Sequence, residues 1–168
     1  SYTALAQGEH TFAVRAIDPA GNVDPSPATR TFTVDTVAPD TTITSGPTGP
    51  TNATSASFAF TSTESGATFE CRLDAGTFEA CTSPKAYTGL AQGEHTFAVR
   101  ATDAAGNVDP SPATRTFTVD TVAPDTTITS GPTGTITATS ASFAFTSTES
   151  ASTFECRLDA PAAATGTY

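Results

Sequence analysis

The chain repeats itself at a fixed offset of 85 residues, and this constrains the fold more than any other feature. Tyr2-Thr3 recurs as Tyr87-Thr88, residues 5–10 as 90–95, 31–35 as 116–120 and 70–74 as 155–159. Of the first 75 positions, 66 are identical to the position 85 residues later. A period near 85 is too long for a solenoid turn and suits a small independent β domain. The register divides the chain into residues 1–35, the C-terminal part of one unit; 36–120, a complete unit; and 121–168, the start of a third. Identity ends at Ala160, and residues 161–168 read as a sequence end, frameshift or truncation, with a cap the weaker alternative. The chain opens on Ser1 and reads as a piece of something longer.

Within 36–120 the apolar residues alternate with polar ones, the period of a half-buried strand. Thr41-Thr42-Ile43-Thr44 is stopped by Ser45-Gly46-Pro47. Ala56, Phe58 and Phe60 form one apolar set, and Phe69, Cys71 and Leu73 a second. Phe97, Val99 and Ala101 form a third, and Phe117 with Val119 a fourth. Turn residues lie between them at Asp74-Ala75-Gly76, at 89–93 and at Ala105-Gly106-Asn107. No segment sustains a helical period. About seven strands with turns every 8–12 residues predict an all-β, antiparallel β-sandwich.

Charge narrows the partners. The net charge of −10 disfavours nucleic acid, whose phosphates call for Lys and Arg, and anionic membranes for the same reason. The apolar runs fall far short of the roughly 20 residues that cross a bilayer. Ser1-Tyr2-Thr3-Ala4 does not have the form of a signal peptide. The 36 Thr, 12 Gly and 12 Pro are largely a product of the repetition.

The stretch Leu90-Ala91-Gln92-Gly93-Glu94-His95-Thr96-Phe97-Ala98-Val99-Arg100-Ala101-Thr102-Asp103-Ala104-Ala105-Gly106-Asn107 resembles the E–F corner and strand F of fibronectin type III and bacterial immunoglobulin-like modules. The joint from Phe117 to Asp125 is similar to those between tandem bacterial Ig-like repeats of large secreted or surface proteins. Phe97 stands where the corner Tyr is usual, and Phe58 and Phe60 where fibronectin modules carry Trp, which favours the bacterial Ig-like group. The resemblance implies Ig-like sandwiches of about 85 residues. It specifies architecture better than role.

Cys71 and Cys81 flank a hairpin signal at 74–77. If Gly76 is the apex, the two cysteines are directly opposed, Phe69 faces Ser83, and a disulfide is expected. Closing that loop would add roughly 2.5–3 kcal/mol in the chain-entropy treatment. A free buried pair is the alternative, while zinc would need ligands the unit does not supply. Cys156 repeats Cys71, but its partner position is Gly166, so it is expected to be unpaired. A disulfide implies an oxidising, extracellular or cell-surface location.

Ig-like topology would bring Asp103, Asn107 and Asp109 of one loop near the linker residues Asp35 and Asp40, with Glu64 on a neighbouring loop. Such oxygen donors at a joint suit structural calcium. The competing reading is that Asp and Asn make local turn hydrogen bonds. No other cofactor is implied.

The remaining motifs read blandly. His10 and His95 follow Glu in a corner loop and are expected in solvent. Glu70, Arg72 and Asp74 read as an ion-pair ladder on one strand face. Asn52-Ala53-Thr54 fits the glycosylation pattern, yet its copy begins with Thr137. No Ser–His–Asp set, phosphate loop or zinc helix is present, and near-identical units argue against one specialised pocket. The expectation is a non-catalytic spacer or stalk segment of an exported, adhesin-like bacterial protein, partnered by neighbouring repeats. Pro39 fixes its own φ and restricts Ala38, so the joint should be semi-rigid. The alternative is a set of accessory modules in a secreted hydrolase whose catalytic domain lies elsewhere. Ligand binding through loop tips would need an aromatic-rich loop, and none is evident.

Overall fold

The alternating segments become strands wherever a neighbouring strand can pair their backbone, because a buried N–H or C=O left unpaired is costly. The computed structural model describes residues 1–158, and every regular element among them is a strand. Two compact units meet between Thr121 and Val122. Residues 161–168 and Gly166, singled out in the sequence, lie outside the described residues.

The first unit, Ser1–Thr121, begins with the antiparallel hairpin β1 (Gly8–Val14) and β2 (Ala28–Val34). Two sheets follow. One is β3 (Thr41–Ser45), β5 (Ser55–Ser62) and β8 (Lys85–Thr88), in the order β3-β5-β8. The other comprises β4 (Gly49–Thr51), β6 (Thr68–Leu73), β7 (Glu79–Cys81), β9 (Gly93–Thr102) and β10 (Ala113–Val119). Its order is β4-β10-β9-β6-β7, and all its pairings are antiparallel except β4 with β10.

The two sheets share one core. Phe58 of β5 stacks on Phe97 of β9 at 4.2 Å between ring centroids, and both are fully buried. Phe60, Val99, Phe117 and Val119 complete the cluster. Burial of each such side chain stabilises by roughly 1.5–3 kcal/mol. Gly46 is required by this packing. Its φ is +150°, and a Cβ there would lie 2.5 Å from the Phe58 ring. The open edge between the sheets is laced by polar contacts. Ala101 N donates to Thr41 Oγ1 at 2.9 Å, and Arg115 donates to the carbonyls of Gly46 and Ile43 at 3.0 and 3.4 Å.

The Cys71–Cys81 disulfide is formed, with the Cα atoms 5.8 Å apart. The expected register is corrected. Cys71 pairs with Glu79, and Phe69 pairs with Cys81 rather than Ser83. The turn is therefore centred on Ala75, one residue earlier than Gly76, and the disulfide joins diagonal neighbours. Asp74 causes the difference. It adopts a left-handed φ of 55°, held by its N–H donating to Thr96 O at 2.8 Å. After Cys81 the chain crosses to the other sheet, where Ser83 Oγ accepts the Phe60 N–H at 2.9 Å.

The second unit, from Val122, contains β11 (Thr126–Ser130) and β12 (Ala144–Ser147), antiparallel to each other. Their register break between Ile128 and Ser130 reproduces the one between Ile43 and Ser45. Cys156 is a free, exposed thiol.

Candidate functional site

The polar residues singled out in the sequence gather around the segment that follows β2. The 103–107 loop is built locally. Asp103 Oδ1 accepts the Asn107 N–H at 2.8 Å, Oδ2 accepts Asn107 Nδ2–H at 2.7 Å, and Asp103 N donates to Asn107 O at 3.1 Å. The same bonds recur between Asp18 and Asn22, at 2.8, 2.8 and 3.0 Å, on a hairpin with different surroundings. Asp and Asn here are thus turn formers first. These bonds, led by the one from the Asn107 side chain, hold the Asp103 carboxyl below its usual range.

Asn107 Nδ2 also donates to Asp35 O at 3.1 Å, tying the loop to the end of the preceding hairpin. Asp35, Asp103 and Glu64 each place a carboxylate oxygen within 4.8 Å of the other two. Burial, then the charges of Asp35 and Asp103, raise the Glu64 pKa. Three carboxylates this close could contribute three of the six to eight oxygens calcium takes. Asn107, however, presents nitrogen to them, so its amide serves the loop as a donor. Asp40 lies outside the trio; its N–H donates to Thr63 Oγ1 at 2.9 Å. Asp109 also lies outside it. Its Oδ1 accepts from Ser111 N and Oγ at 2.8 and 3.2 Å, while Oδ2 is buried without a hydrogen-bond partner. Burial raises the Asp109 pKa, but the Thr41 and Ser111 polar groups outweigh it and the net shift is downward.

A clasp at the same joint went unread in the sequence. Gln7 Nε2 donates to Asp35 Oδ1 at 2.7 Å, and Gln7 Oε1 accepts from Thr36 N and Oγ1 at 2.8 and 3.0 Å. Gln92 makes the same bonds to Asp120 and Thr121, at 2.8, 2.8 and 3.0 Å. The signal was a Gln 28 residues before an Asp-Thr pair in both copies. Where nearly every position is repeated, that recurrence does not stand out.

His95 is a correction. It is not in a solvated loop but in β9, on the face of Phe97, and is 9% exposed. Its Nε2 faces Ala91 O at 2.9 Å and its Nδ1 faces Asp74 Oδ2 at 2.8 Å. The two acceptors favour the protonated ring, and the His95 pKa is raised, first by the Ala91 carbonyl and then by Asp74. His10 likewise lies in a strand, β1, where it faces the Ala6 carbonyl at 2.8 Å and stacks on Phe32 with ring centroids 5.5 Å apart. The expected ladder along β6 also runs differently. Glu70 pairs with Arg100 of β9 at 2.7 Å, and the Arg72 and Arg100 guanidinium groups sit 4.7 and 4.3 Å from the centroid of Phe78.

No helix among the described residues is long and apolar enough to cross a membrane. No family model matches the chain, and no curated protein does.

Proposed function

We propose that the chain is a segment of a non-catalytic spacer, built of tandem bacterial Ig-like units in an exported surface or adhesin-like protein. The observation that carries this reading is the repeated clasp. Gln7 with Asp35 and Thr36, and Gln92 with Asp120 and Thr121, fasten the corner before the next-to-last strand of one copy to the start of the linker by the same three hydrogen bonds. The Asn107 bond to Asp35 O then ties that linker to the copy that follows. Pro39 is fully buried, so little of the linker is free to swing. An array with such joints projects a distal domain at a set distance. Export is supported by the disulfide, which persists in oxidising compartments.

The test is small-angle scattering on tandem copies of residues 36–120. A spacer lengthens by a constant increment per copy, set by the ten-residue β9 at about 34 Å. Replacing every Gln92 equivalent with Ala should shorten the array. Growth as the square root of copy number would mean freely jointed beads and would overturn the reading.

A further inference from the structure

We infer that Asn52 is an acceptor for an N-linked glycan. The inference rests on the reading of the chain as exported, since an Asn-x-Thr acceptor belongs to a surface loop of a secreted protein. The chain has three asparagines, at 22, 52 and 107. Asn22 and Asn107 are each followed by Val-Asp, whereas Asn52 is followed by Ala53-Thr54, the acceptor pattern with a residue other than Pro in the middle. Of the nine positions at which residues 1–75 differ from 86–160, three are consecutive: Pro50, Thr51 and Asn52 stand against Thr135, Ile136 and Thr137. The acceptor is thus a local departure from an otherwise near-identical copy.

The side-chain contacts divide the three asparagines in the same way. Asn22 Nδ2 donates to Asp18 Oδ2 at 2.8 Å, and Asn107 Nδ2 donates to Asp103 Oδ2 at 2.7 Å and to Asp35 O at 3.1 Å. A sugar on either nitrogen would disturb the bonds that close its loop. Asn52 is exposed, and among the described residues its side-chain amide has no hydrogen-bond partner. Thr54 is also exposed, and its hydroxyl likewise has no partner among the described residues. Both side chains of the pattern are therefore open to a transferase.

The backbone around them is anchored without being buried. β4 ends at Thr51 and β5 begins at Ser55, so residues 52–54 form the turn between them. Thr51 O accepts the Asp120 N–H at 2.8 Å, Thr51 Oγ1 accepts the Ala53 N–H at 3.2 Å, and Thr54 O accepts the Leu90 N–H at 2.9 Å. None of these bonds uses an atom that glycosylation alters. The first buried side chain after the turn is Ala56, so a bulky, hydrated substituent on Asn52 displaces nothing in the core. Transfer forms a bond from Asn52 Nδ2 to the anomeric carbon of a sugar. It breaks that carbon's bond to the phosphate oxygen of an activated donor, whose phosphate-bearing carrier leaves. One amide proton passes to a base of the transferase, and nothing is oxidised or reduced.

The folded full chain, with its disulfide formed, is incubated with UDP-glucose and an N-glycosyltransferase that accepts Asn-x-Ser/Thr. Intact mass and peptide mapping should show a single added hexose, on Asn52. Asn52→Gln and Thr54→Ala should each abolish the gain, and Thr54→Ser should retain it. All three variants should keep the wild-type thermal melt, because neither side chain is bonded in the fold. The full chain directed to the secretory pathway of a eukaryotic host should carry a glycan that peptide N-glycosidase removes, leaving a carboxyl at position 52. No transfer to the folded chain, whether or not the denatured chain accepts sugar, would overturn the proposal. So would a hexose that survives Asn52→Gln, or a secreted chain with Asn52 unmodified. Each of those results strikes this site alone, since the spacer reading is tested by the length of the array, which does not depend on Asn52.

Discussion

At the scale of single residues, His95 shows how one side chain joins the hydrogen-bond network to the core. It continues the inward face of β9, and its ring centroid lies 5.5 Å from that of Phe117. Its protonated form is favoured by Ala91 O and Asp74. The Asp74 pKa is raised by burial, but the bonds from His95 and Thr96 outweigh that and the net shift is downward. The sign of the pH dependence follows. The histidine contribution is complete below its unfolded value of 6.5 and is lost as pH rises through its higher folded pKa. The aspartate contribution is complete above 3.8 and is lost as pH falls through its lower folded pKa. Thermal melts of Ser1–Thr121 should therefore show a step down on the alkaline side that His95→Gln removes. A wild-type profile that coincides with the variant's above pH 6.5 would count against this arrangement.

Among the elements, β6 and β7 carry the covalent link. Cys81 is the last residue of β7 before the chain crosses to β8, so the disulfide pins the handover between sheets. The pinned segment also places Phe78 against Arg72 and Arg100. Replacing both cysteines with Ser should lower the stability of residues 36–121 by about 2–4 kcal/mol. Denaturant unfolding checks it, and a change below about 0.5 kcal/mol, the size of an ordinary surface substitution, would show that the link is incidental. Most of β6 was legible as alternation. Its exact pairing was not, because the left-handed turn at Asp74 depends on acceptors and donors that β9 supplies.

For the whole molecule, the two-sheet core of residues 36–121 contains every contact in the buried cluster. That segment alone should unfold in one cooperative transition. Residues 122–158 alone should not, since two strands with one apolar face have nothing to pack against. Calorimetry at high dilution separates the outcomes, and a cooperative transition in the isolated 122–158 segment would place the folding boundary elsewhere.

The candidate site was half legible in advance. Asp35 and Asp103 come together as the sequence suggested, and Asn107 joins them as a hydrogen-bond donor. Asp40 and Asp109 serve other contacts, and Glu64, first noted only as a neighbour, completes the trio. By itself the sequence determined whatever closes over a few residues. The Asp–Asn loops form identically at 18–22 and 103–107, because five residues contain all their donors and acceptors. It also determined which alternating residues could become core, and that Cys71 and Cys81 could meet. Tertiary structure decided which copy realises that potential. The same six residues are a strand at 68–73, where β9 pairs them, and are not a strand at 153–158. The same Phe is buried at 97 and exposed at 12. A strand's hydrogen bonds and the water-free side of its face are both supplied by other strands, so no stretch of sequence carries them alone.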